Sequence, residues 1–160
     1  MKECAVELVT HKAIDYAHPR GDVWAAMADV DSYEQWWPWL RSFQARALAT
    51  DEVWRCTVRA PVGYTVSFSI AFTRVVDGSL AEARISGDIR GGAELTLTDT
   101  DGGCSVVVRS DLQPESRFLR LLARTVPAVA RYGHDWVLST GAKQFERRAL
   151  VSAGAPDTTT

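Results

Sequence analysis

The stretch from Tyr64 to Thr73 alternates without a break. Tyr64, Val66, Phe68, Ile70 and Phe72 take one parity; Thr65, Ser67, Ser69, Ala71 and Thr73 take the other. Successive side chains point to opposite faces only in a strand, so this run is a strand with one apolar and one polar face. Such a strand needs pairing partners and a cover for its apolar side. Breakers recur around it at Thr50-Asp51, Pro61-Val62-Gly63, Asp77-Gly78, Gly91-Gly92 and Asp101-Gly102-Gly103. Asp-Gly between alternating runs is a strong hairpin signal. Residues 41–113 therefore read as about six antiparallel strands joined by tight turns. Residues 4–17 add one more, with Val6, Leu8, Ile14 and Tyr16 on one face and Glu7, His11 and Asp15 on the other.

Two helical segments flank these strands. After Pro19, the spacing of Val23, Trp24, Met27 and Ala28 predicts an amphipathic helix, with Asp22 favourable in its first turn. Asp31 followed by Glu34 resembles a capping box that opens a second short helix, and Pro38 stops it. Residues 116–150 lose the alternation and read as one long helix, broken or restarted at Pro127. On its wheel Val126, Ala130, Gly133, Val137, Thr140, Gly141 and Gln144 share one side, while Arg131, Asp135, Lys143, Glu146 and Arg147 lean away. Small residues on a helix facing aromatic residues on a sheet can pack closely or leave a void; the large sheet aromatics favour the void. The expected fold is α+β: a curved antiparallel sheet of about seven strands wrapped round a long C-terminal helix. Residues 1–150 form one domain, and Ser152–Thr160 reads as a disordered tail.

Composition removes several function classes. Lys plus Arg is 18 and Asp plus Glu 20, for a formal charge of -2, so nothing attracts nucleic acid. No apolar run reaches the ~18–20 residues of a membrane span, and the N-terminus lacks the apolar core of an export signal. Cys4, Cys56 and Cys104 form no CxxC pair and read as free thiols of a cytoplasmic protein. His11, His18 and His134 have no metal-binding spacing, so neither metal nor cofactor is expected. Six tryptophans, four of them at 24, 36, 37 and 39, point instead to a large apolar contact surface.

Three segments carry a resemblance. DVWAAMADVDSYEQWWPWL (22–40), ISGDIRGGAELTL (85–97) and RYGHDWVLSTGAKQF (131–145) occur in the order found in the START-like, helix-grip superfamily, also called SRPBCC. Within it the chain resembles the polyketide cyclase/dehydrase and lipid-transport family. Gly133 stands where that pattern often has Asn, and Leu138 where it has Met. The resemblance implies a helix-grip fold around a cavity, and a hydrophobic small molecule, polyketide-like or lipid, as partner. It leaves open whether the protein is a cyclase or a carrier, and is compatible with a monomer or weak homodimer.

His134 lies on the shoulder of the inward helix face, whereas His11 falls on the wet face of strand one and His18 at a corner. An imidazole titrates near neutrality and suits proton transfer in enolisation and aldol closure. Tyr64, at the end of the apolar strand face, can stabilise an enolate through its phenol. His134 and Tyr64 are the expected catalytic pair. Phe68, Phe72, Leu95, Val108 and Ser110 from the sheet, Ala130, Gly133, Val137 and Gly141 from the last helix, and Trp39 and Trp54 are the expected ligand-lining residues. Trp24 and Trp36 read as helix-to-sheet packing. Arg55, Arg59 and Arg84 alternate with apolar residues and point to solvent. The Gly-rich GDIRGG lies between strands, so it is a hairpin and not a phosphate loop.

Overall fold

A computed structural model describes residues 7–150, apart from the side chains of Pro127 and Ala130. The expectations for Cys4, Val6, the Ala130 side chain and the Ser152–Thr160 tail lie outside the described residues. Seven strands form one antiparallel sheet: β1 (Leu8–Tyr16), β2 (Leu40–Gln44), β3 (Val53–Arg59), β4 (Thr65–Val76), β5 (Leu80–Gly87), β6 (Ile89–Thr100) and β7 (Gly103–Pro114). Their order is β1-β7-β6-β5-β4-β3-β2, so six strands are joined as a meander and β1 pairs with the last of them. Between β1 and β2 lie α1 (Arg20–Ala28), a 3-10 turn (Val30–Ser32) and α2 (Tyr33–Trp36). After β7 come α3 (Arg117–Thr125) and α4 (Pro127–Phe145), which runs into a π-helical turn at Glu146–Leu150. The architecture is the helix-grip fold, a curved sheet closed round a long C-terminal helix.

The break expected at Pro127 divides residues 116–150 into two helices: Val126 leaves helical geometry and Pro127 restarts the chain as the first residue of α4. Proline costs nothing there, where its missing N–H has no intrahelical partner. The capping box does not form. No side chain caps α2; Ser32 instead donates to Asp29, and Glu34 accepts a hydrogen bond from the Phe43 amide at 3.0 Å. Glu34 thereby ties α2 to β2 rather than closing its own helix. On α1, Val23 and Trp24 are buried and Ala28 is exposed.

The inner face of the sheet is set by register. Leu8, Thr10, Lys12, Ile14 and Tyr16 of β1 stand opposite Leu112, Ser110, Val108, Val106 and Cys104 of β7. The inner rows continue through Ala93 and Leu95 of β6 to Ala83 and Ala81 of β5. The end of the grip near the C-terminal turn is sealed: Val106, Leu97 and Phe145 are 1%, 2% and 3% exposed. Phe145 is locked there edge-on to Tyr16 and Trp36, with ring centres at 5.7 and 5.6 Å. Cys56 and Cys104 are free and buried, as core fillers. Burial pushes the Cys56 thiol up to about 12, so it stays protonated and unreactive.

Candidate functional site between the sheet and the last helix

Away from the sealed end the inward side chains are only partly buried. Thr10, Lys12, Phe68, Leu95, Val108 and Ser110 on the sheet are half-buried, although all face α4. His134, Val137 and Ser139 on α4 are half-buried too. This middle zone is walled by apolar side chains and carries a few polar groups, the usual character of a small-molecule site. The register puts Thr10 and Ser110 side by side. His134 reaches across from α4, with Nε2 2.8 Å from Thr10 Oγ1. Two residues along β1, the Lys12 ammonium donates to Ser139 Oγ at 2.6 Å.

Burial lowers the pKa of His134 from its ordinary value, partly offset by the charge of nearby Asp135. The imidazole is therefore neutral at pH 7 and has a lone pair to offer. Tyr64 lies just before β4 and is half-buried. Burial raises its phenol, which stays a protonated donor. Its hydroxyl sits where a side chain on Gly133 would begin, 2.5 Å from the position of a Cβ. Tyr64 and His134 are thus brought to the same turn of α4.

The glycines of α4 leave no void where they stand. Gly133 is covered by Tyr64. Gly141 is covered by Trp37 and Trp39, the latter 3.3 Å from where a Cβ would lie. The Trp37 indole donates to the Gly141 carbonyl at 3.0 Å, and the Trp39 indole to Gln144 Oε1 at 2.9 Å. The Trp-rich segment is a clamp on α4. Trp54 is 7% exposed, its ring centre 4.6 Å from that of buried Phe72, and its indole donates to the Ala47 carbonyl. Trp54 and Phe72 therefore sit in the packed core, whereas Phe68, Leu95, Val108, Ser110 and Val137 border the half-open zone.

Thr10, Lys12 and Ser139 were not anticipated. The signal was present, since Thr10 and Lys12 share the parity of Leu8, Ile14 and Tyr16. The outward residues fall as expected: His11, Arg55, Arg59, Arg84 and Asp135 are exposed. A depression of about 1060 Å³ crosses the outer face of the sheet. It is open and lined by Glu82, Arg84, Arg90, Glu94, Arg109 and Asp111 among others. Among the described residues no three His, Cys, Asp or Glu side chains gather to hold a metal ion. None of the described helices is long and apolar enough to cross a membrane.

The polyketide cyclase / dehydrase and lipid transport family model matches residues 16–133. The chain belongs to this family. No curated protein matches the sequence. Among solved structures the chain is similar to Ara h 8.0201, with TM-score 0.69 and 13% identity over 91% of this chain and 99% of that one. It is also similar to the di-domain ARO/CYC StfQ from the steffimycin biosynthetic pathway. There the TM-score is 0.69 and the identity 12%, over 93% of this chain and 52% of that one. A Thalictrum norcoclaurine synthase point mutant in complex with a transition-state analogue gives TM-score 0.66 at 11% identity, over 96% and 100%. At such identities these likenesses carry the fold alone.

Proposed function

We propose that the protein encloses a hydrophobic small molecule between the sheet and α4. We propose further that it acts there as a cofactor-independent cyclase or dehydrase on a polyketide-like substrate. The observation that carries this reading is a neutral, half-buried imidazole, His134, facing an apolar zone. Family membership and the shared fold of an ARO/CYC protein support it. A methylene between two carbonyls is acidic enough for such a base. His134 takes one of its protons, and the C–H electron pair moves onto the carbonyl oxygen as an enolate. The protonated Tyr64 phenol donates to that oxygen and stabilises it. The enolate carbon attacks a second carbonyl of the same chain, forming the ring bond. The imidazolium then returns its proton to the new alkoxide, leaving the base as it began. Holding the chain folded supplies much of the acceleration.

Turnover of a linear poly-β-ketone that ends in a free carboxylate, followed by the appearance of its cyclised product, tests this. His134→Ala is expected to lower kcat by roughly 10²–10⁴ with little change in KM, the range for loss of a general base. An unchanged kcat contradicts the catalytic role. One observation favours a carrier instead: the His134 ring is held by Thr10, a contact that serves structure as well as chemistry. Tight binding of the same poly-β-ketone without turnover by the wild type would select that reading.

A further inference from the structure

Lys12 is the one ammonium group on the inner face of β1. Its neighbours in the same inner row are apolar, Val108 directly opposite on β7 and Leu95 beyond it on β6. Along its own strand it lies between Thr10 and Ile14, and from α4 it meets Ser139. An ammonium has three donors, and Ser139 accepts one. Among the described residues no carboxylate forms an ion pair with Lys12; the ion pairs that form there involve Arg20, Arg46, Arg90 and Arg120. The nearest acid on α4 in sequence, Asp135, is exposed. A cation half withdrawn from water among apolar groups is costly unless an anion meets it. Among the described residues none does, and Lys12 borders the zone that a ligand would occupy.

We infer that Lys12, held by Ser139, anchors the acidic head of the ligand, so that the site selects hydrophobic molecules bearing a carboxylate. The inference rests on the reading of this interior as the ligand site. Thr10 and Lys12 are two residues apart on one strand face, about 7 Å. A molecule anchored at Lys12 therefore presents carbons only a few bonds from its carboxylate to the His134–Thr10 pair. The anchor sets which part of the chain reaches the imidazole.

The probes are cis-parinaric acid and its methyl ester, which share one fluorescent chain and differ only in charge at the head. The wild type is expected to bind the acid at least about tenfold more tightly than the ester, the scale of one charge-assisted hydrogen bond. Lys12→Met is expected to bring that ratio close to one, and Lys12→Arg to keep it above one. Thermal melts of the variants establish that they fold. Equal binding of acid and ester by the wild type overturns the inference while leaving the interior site intact. So does a preference that survives in a folded Lys12→Met variant. Failure of the wild type to bind either probe overturns the interior site itself, and the anchor with it.

Discussion

At the scale of single residues, the proposed chemistry rests on His134. Its pKa is lowered because burial penalises the imidazolium more than Asp135 favours it. The sign of the effect on stability follows. Above the ordinary histidine value of ~6.5 the ring is neutral in both folded and unfolded chains, and its contribution is intact. As pH falls below that value the unfolded chain takes up the proton first, so the folded state loses stability. The loss levels off once pH drops below the folded value. Urea unfolding at pH 7.5, 6.5, 5.5 and 4.5 should show the wild type losing more stability across this window than His134→Gln. Parallel curves for the two proteins would mean that the ring is not buried as described. His134 was legible in the sequence from its place on the helical wheel. The parity of β1 marked Thr10 as inward, but its pairing with His134 is not legible until the helix is laid over the strand.

Elements, rather than residues, account for the glycines of α4. Small residues on an inward helix face are equally compatible with a void and with close approach. Here the answer comes from the loop before β4, which carries Tyr64 against Gly133, and from the segment after α2, which lays Trp37 and Trp39 against Gly141. Gly133→Ala removes a helix-destabilising glycine, worth about 0.8–1 kcal/mol in a helix interior. The new methyl group, however, begins 2.5 Å from the Tyr64 hydroxyl. Alone, the substitution should therefore give little or no gain. In a Tyr64→Phe background, where that oxygen is absent, it should stabilise by roughly 1 kcal/mol. Chemical denaturation of the four proteins of this cycle measures the coupling. A full gain for Gly133→Ala with Tyr64 intact would show that the close approach is absent. The strands were legible from alternation and Asp-Gly turns because both are local. The break between α3 and α4 was marked by Pro127. The capping box misled because Glu34 found a better donor on β2, a tertiary partner that its local motif cannot specify.

For the whole molecule, the division of the interior into a sealed end and a half-open zone matters most. Phe145, Tyr16 and the Trp-rich clamp close one end, and the side chains of the remainder are only partly buried. The same sheet has an outer depression lined by charges, so a bound molecule has two faces to choose between. The central claim is that an apolar ligand takes the inner one. Methyl NMR of the protein during titration with cis-parinaric acid tests this most directly. The account predicts shifts at Leu95, Val108 and Val137, which border the half-open zone, and none at the exposed Val9 or Val53. Shifts at Val9, beside the outer depression, with Leu95, Val108 and Val137 unmoved, would contradict it.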